Sequence, residues 1–298
     1  IFSSLAAVIL VAAVVCGNVA HAARPTASLL PDTTRGHLSI VDMPTLSEQW
    51  QKTQLAQLID DPSMQPFSES LRQQLDESLS VMKQYLGLTL DDLEGIPNGE
   101  VSISLIDGDG AAAIAVLVDV TDRLDEAAGV IEKADANLID RGAKKSTKTI
   151  EGTEVVIYDV PPDEANRIEA TTAAYFIRDN LLGAANDLDA IADILGRFSG
   201  EHDDTLEDRI AYRAVMSRCR ADAGDLVPNV RWFVEPIAYA EAMRDLLADP
   251  NRDRRGETDY IQVLKNQGFT AVQGAGGFVN FSVNEHLDVL HRTSVYAP

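Results

Sequence analysis

Cysteine is nearly missing from this sequence: among 298 residues only Cys16 and Cys219 carry thiols, and there are only five histidines. That excludes a disulfide framework and a thiolate zinc finger, which need several such ligands at fixed spacing. Basic residues are scarce too, with 25 Lys and Arg facing 47 Asp and Glu for a formal net charge of −22. A surface of that sign repels phosphates, so no nucleic-acid partner is expected. Long apolar runs are absent after residue 22, where the longest is Ala111 to Val118; crossing a bilayer takes about 20 residues. Neither a Gly-x-Ser-x-Gly elbow nor a Walker loop occurs, so two common enzyme signatures are missing. What is present is a globular balance, 45% hydrophobic and 24% charged. The chain is long enough for one large domain or two ordinary ones.

Residues 1–22 hold no Asp, Glu, Lys or Arg, and Leu5 to Val15 is an unbroken apolar run. Such a run is short for a bilayer span and suits the h-region of a signal peptide. Ala20-His21-Ala22 supplies the small-x-small pattern that a signal peptidase accepts, predicting a mature start at Ala23. Bulky Val15 disfavours a lipoprotein site at Cys16, and a retained anchor is the alternative to cleavage. The chain opens at Ile1 without a Met or a basic n-region, so we expect a few residues to precede it. The expected location is periplasmic or extracellular, with no membrane span in the mature chain.

The remainder reads as mixed helix and strand. Gly36 to Val41 is a short strand, and Thr45-Leu46-Ser47-Glu48 reads as a capping box opening a helix through about Ile59. Phe67, Leu71, Leu75, Leu79, Met82 and Leu86 mark one amphipathic helix stopping at Gly87. Thr89 caps a short acidic turn. Val101, Ile103 and Leu105 alternate with Ser102 and Ser104, which predicts a half-buried strand with its serines outward. Asp107-Gly108-Asp109-Gly110 turns the chain into Ala113 to Val118, an apolar central strand. Thr121 caps a helix carrying Leu124, Ala128, Ile131, Ala134 and Leu138. A strand follows at Thr153 to Val160, then a polar connection over 161–172. Beyond it come a hairpin (Ala174 to Ile177, Leu181 to Ala185), helices from Asp187 to Leu195 and Glu207 to Ala221, a strand from Val230 to Val234 and a helix from Ile237 to Leu247. A charged loop precedes a short helix ending at Gly268, and Phe269 to Gln273, Val279 to Val283 and Leu287 to Tyr296 read as strands.

Strands arriving mostly as hairpins predict an α+β fold, its sheet largely antiparallel, with helices packed on one face and recurring strand-helix units. The expected organisation is a signal peptide over 1–22, a first α+β lobe over 23–160, a connection over 161–172 and a similar second lobe over 173–298.

Several stretches resemble a known family: Leu30-Pro31-Asp32-Thr33-Thr34, Lys52-Thr53-Gln54-Leu55, the run from Asp135 to Lys144, Arg231-Trp232-Phe233-Val234-Glu235-Pro236, Asn266-Gln267-Gly268-Phe269, and His291-Arg292-Thr293 with Tyr296-Ala297-Pro298. Together they are similar to an exported planctomycete protein family of unknown function. The resemblance covers most of residues 29–298. It implies export, an α+β body and a protein continuing beyond Pro298, and it carries no catalytic residue to any position here.

Each chemistry-bearing motif also has a plainer reading. Asp107 to Gly110 lacks the distal Glu of a calcium loop and reads as a hairpin turn. Glu201-His202-Asp203-Asp204 are adjacent loop residues that cannot all face one ion. Gly274-Ala275-Gly276-Gly277 precedes a strand rather than the helix N-terminus a dinucleotide needs, so it reads as a turn or bulge. Ser80 and Lys83 have Ser-x-x-Lys spacing without the companion elements of acyl enzymes. His291 shares a strand face with Val289 and Val295 and reads as half-buried, and Cys219 sits with Ala211 and Val215 on one helical face as a buried residue. Lys144, Lys145 and Lys148 read as a solvated turn. No residue is therefore assigned a catalytic, cofactor-binding or metal-ligating role. The expected function is a non-catalytic structural or binding role in the cell envelope, with an envelope protein or glycan as partner. The alternatives are a carboxylate-dependent hydrolase of glycan-type substrates and a cation or small-ligand binder.

Overall fold

The computed structural model describes residues 23–78, 88–108, 112–162, 171–200, 204–246, 258–284 and 286–298. Ten strands form one sheet: β1 (Thr34–Ile40), β2 (Val101–Asp107), β3 (Ala112–Asp119), β4 (Lys144–Ile150), β5 (Thr153–Val160), β6 (Thr171–Arg178), β7 (Leu181–Ala185), β8 (Val230–Val234), β9 (Gly274–Asn284) and β10 (Leu287–Tyr296). Their spatial order is β10-β9-β8-β1-β2-β3-β7-β6-β5-β4, and every pairing is antiparallel. The helices among the described residues are α1 (Met43–Gln51), α2 (Gln54–Ile59), α3 (Gln65–Ser78), α4 (Leu90–Leu93), α5 (Leu124–Asp140), α6 (Leu188–Gly196), α7 (Ile210–Ala223), α8 (Pro236–Leu246) and α9 (Tyr260–Asn266). None of them is long and apolar enough to cross a membrane.

The α+β class and the antiparallel pairing agree with the sequence reading. The helices, expected on one face, cover both. Strand β3 explains why: its apolar side chains point alternately to either side, and each side needs cover. On the first face Ala113, Ala115 and Leu117 join Phe176, Phe233 and Phe278 beneath α6, α7 and an N-terminal strap over residues 23–33. On the second face Leu105 and Ala112 meet Ala242 of α8. Val118 and Leu182 meet Ala127 of α5, whose Leu138 packs on Val156 and Tyr158. The two expected lobes share this sheet and interleave, because β8 of the second pairs with β1 of the first and β7 pairs with β3. Pairing the hairpins edge to edge satisfies backbone groups that two separate sheets would leave open.

Local differences have local causes. Asp42, not Thr45, caps α1, its side chain accepting from Thr45 N at 2.8 Å. The helix then breaks at Lys52, and Thr53 caps α2. The hydroxyl of Thr121 bonds Asp119 instead of capping α5. Phe67 of α3 is exposed, and Leu79, Met82 and Leu86 of its expected stripe lie outside the described residues. The basic stretch around Lys144 is edge strand β4 rather than a turn; exposed lysines on an edge discourage pairing with other chains. Phe269–Ala271 forms a 3-10 turn rather than a strand.

The largest inversion is in β2. Ser102 and Ser104 are buried, whereas Ile103 is 46% exposed. The expected turn or bulge over Gly274 to Gly277 is the start of β9, paired in register, and its glycines let chains approach. A Cβ at Gly276 would lie 2.6 Å from the Trp232 carbonyl oxygen and 2.7 Å from Val215 Cγ1 of α7. Gly276→Ala is therefore expected to lower stability by about 1–3 kcal/mol. Gly129→Ala in α5, where nothing lies within 4 Å of the new Cβ, is expected to raise it by up to about 1 kcal/mol. Urea midpoints of the two variants check both signs.

Candidate functional site

Among the described residues, two places stand out where acids of different elements come together. The first is an open cleft of about 550 Å³ where the start of α7 meets the β8–α8 junction and α9, lined by Arg209, Glu235, Ile237, Glu241, Lys265 and Thr270 among others. Strand β8 ends at Val234 and Pro236 opens α8, which fixes Glu235 at the corner between them. One Glu235 oxygen is in a close ion pair with Arg209, and the other takes Arg35 Nη1 at 3.1 Å. Arg35 also holds Asp107 at 3.1 Å. Lys265 Nζ reaches Glu241 at 2.6 Å, and Thr205 Oγ1 donates to Asp208 at 2.5 Å. The acids of the cleft are thus engaged by the chain's own donors.

The second place lies at the other end of β2 and β3, beneath the strap. Counting outward from the β2–β3 turn sets Glu100 opposite Asp119, and Asp119 N donates to Glu100 O at 2.8 Å. The Glu100 carboxylate accepts from Thr26 N at 2.8 Å, from Thr26 Oγ1 at 3.0 Å and from Ser39 Oγ. The Asp119 side chain accepts from Thr121 N at 2.9 Å, Thr121 Oγ1 at 2.6 Å and Ala23 N at 3.2 Å. Beside them runs a polar stripe on the first face. Buried His37 shares a 3.0 Å hydrogen bond between Nδ1 and Ser104 Oγ. Burial, helped by the nearby Arg231 charge, pushes its imidazole down to about 3, so the ring is neutral at ordinary pH. Ser102 Oγ and Arg231 Nε are buried with no hydrogen-bond partner among the described residues. Burial raises the Tyr212 phenol, edge-on to His37, to about 12.

The second sheet face is left partly open. Leu38, Ile103 and Ile114, on three adjacent central strands, are 45%, 46% and 37% exposed. With the half-buried Trp232 they form an apolar, largely aliphatic floor. Contiguous exposed apolar surface marks interaction sites more often than scattered single residues do.

The motifs singled out in the sequence are not brought together. Asp107 pairs with Arg35, while Asp109 and Gly110 lie outside the described residues, as do Ser80, Lys83, Glu201, His202 and Asp203. Asp204 is held by Arg197 at 2.8 Å. His291 is exposed rather than half-buried, because its face of β10 looks outward beside Trp232. Cys219 is buried, and burial pushes its thiol up, which makes it a poor nucleophile. Among the described residues no group of three or more His, Cys, Asp or Glu is placed to hold a metal ion. Glu100, Asp119 and Glu235 were missed. The first two could have been found by counting the hairpin register outward; nothing in the sequence sets Glu235 apart.

The geometry defines a helix-covered, ten-stranded antiparallel sheet whose converging acids are internally bonded. No family model matches the chain, and no curated protein matches it. A solved structure of TP0453 (crystal form III) is similar over 92% of this chain and 80% of that one, at 6% identity and a TM-score of 0.39. A likeness that distant carries no argument here.

The neutral His37 has a consequence for pH. Its folded-state value lies far below the ordinary 6.5, so on acidification the unfolded chain takes up a proton that the folded one refuses. That loss begins near pH 6.5 and levels off near pH 3, reaching about 3 kcal/mol at pH 4.5. His37→Gln is expected to lose less stability than the wild type between pH 7 and pH 4.5, measured as the change in urea midpoint. An identical loss would contradict the assignment.

Proposed function

We propose that the protein is an exported, non-catalytic module with a structural or binding role in the cell envelope. The observation that carries this reading is the engagement of the converging carboxylates. Glu235 is bonded by two arginines, Glu241 by Lys265, and Glu100 and Asp119 by the strap. A glycosidase needs one carboxyl kept protonated, with its value raised in a cleft. Among the described residues, the acids that are displaced lie elsewhere and move the other way: Lys133 and Thr89 draw Asp92 down to about 2, and Lys145 and Tyr158 draw Asp135 down.

The apolar run before Ala22 and the resemblance to an exported planctomycete family support export. The aliphatic floor on the second sheet face supports binding over a purely structural part. It suits an envelope protein better than a glycan, whose hydroxyls would go unpaired against Leu38 and Ile103.

A panel of chromogenic glycosides and esters tests the non-catalytic reading. Wild-type protein is expected to turn over none of them. Glu235→Gln is expected to act on folding, costing about 2–4 kcal/mol by leaving Arg35 and Arg209 with a neutral partner. Turnover by the wild type that disappears in a normally stable Glu235→Gln protein would overturn the proposal.

A further inference from the structure

Asp119 is 4% exposed, and among the described residues no lysine or arginine pairs with it. It faces a second acid, Glu100, across the β2–β3 ladder, and like charges set opposite one another destabilise a sheet. A buried carboxylate with neutral donors alone is costly. One of those donors is particular: the nitrogen 3.2 Å from Asp119 Oδ2 is Ala23 N. That is the atom a peptidase would free by cutting after Ala20-His21-Ala22.

We infer that cleavage after Ala22 completes this fold, the new α-ammonium of Ala23 forming a buried ion pair with Asp119 that locks the N-terminal strap. The inference rests on the proposed export of the chain. In the cut, water adds across the Ala22–Ala23 peptide bond, leaving a carboxylate on Ala22 and an amine on Ala23 that takes up a proton. A single neutral N–H donor is thereby replaced by a cation with three. Its charge offsets Asp119 and lies on the strap that Glu100 also holds, through Thr26.

The surroundings suit a cation in that place. Gly99 leaves room for the carboxylate, since a Cβ there would lie 2.3 Å from Asp119 Oδ2. Thr121 bonds the other oxygen and fixes the side chain, leaving Oδ2 to the strap. Ala23 packs against the main core, and Thr26, Leu29 and Leu30 just beyond it are fully buried. The ion pair is therefore specific to this cut. A start one residue earlier or later would displace the ammonium by about 3.8 Å, the spacing of successive Cα atoms.

The test uses the full chain, produced with its own leader in an exporting host and purified from the exported fraction. N-terminal sequencing is expected to read Ala23-Arg24-Pro25. Any other start overturns the inference while leaving export standing, whereas a chain that never reaches the exported fraction overturns the export reading beneath it. With Ala23 confirmed, the α-amine is labelled with an acylating reagent under native conditions and in denaturant. It is expected to react at least about tenfold more slowly in the folded protein, the factor that 1.4 kcal/mol of protection gives. Asp119→Asn is expected to restore fast labelling and to lower the melting temperature by about 5 °C. An α-amine that labels as fast folded as unfolded overturns the ion pair while leaving export standing, and this reading needs no variant. An Asp119→Asn protein that melts lower but keeps its α-amine protected overturns it as well, since Asp119 would then act through Thr121 alone.

Discussion

The structure depends on two carboxylates that the β2–β3 hairpin carries to one end of the first sheet face. Glu100 and Asp119 stand opposite each other, the first half-buried and the second buried, and each must be supplied with donors. The chain supplies them from its own N-terminal strap, through Ala23 and Thr26. Once held there, the strap passes beneath the loop before α7. Leu206 N bonds Leu30 O and Asp32 N bonds Asp204 O, both at 2.8 Å. Leu29 and Leu30 then fill the core between sheet and helices.

The same demand explains why β2 runs opposite to its apparent pattern. Along β1 and β2 the side chains that share that face with Glu100 include Ser39, Ser102, His37 and Ser104; Ser39 bonds Glu100, and His37 bonds Ser104 within the layer. Turning β2 by one residue would bury Ile103 among these polar groups and send the serines to solvent, since strand faces alternate strictly. Keeping the polar layer inside leaves Leu38 and Ile103 on the other face, beside Ile114 of β3. The open floor of Leu38, Ile103 and Ile114 is thus the counterpart of the buried stripe, one register choice producing both.

Much of the fold was legible because hairpins declare themselves locally. β5 and β8 appear at their predicted bounds, and β3, the β6–β7 hairpin and α6 within three residues of theirs. Capping and edge effects were less legible: Asp42 outcompeted Thr45 as a cap, and β4 hid as a basic turn because an edge strand exposed along its length shows no alternation. Helices on both faces followed from β3, apolar throughout, whose two-sided need for cover was there to be read. Sheet order was not legible, since β8 beside β1 and β7 beside β3 are partners far apart in sequence. The candidate site was hidden for a related reason. Glu100 and Glu235 are two among 47 acids, and tertiary partners distinguish them: the strap for Glu100, Arg35 and Arg209 for Glu235.

Hydrogen exchange at the Thr26 amide tests the central claim most directly, because its acceptor is the Glu100 carboxylate rather than a helix or strand carbonyl. If the strap belongs to the core, this amide opens only with the whole molecule, at the same free energy as the amides of β3. Exchange at the rate of exposed loops, while β3 stays protected, would show that the strap is a detachable tail and that the two carboxylates do not hold the fold together.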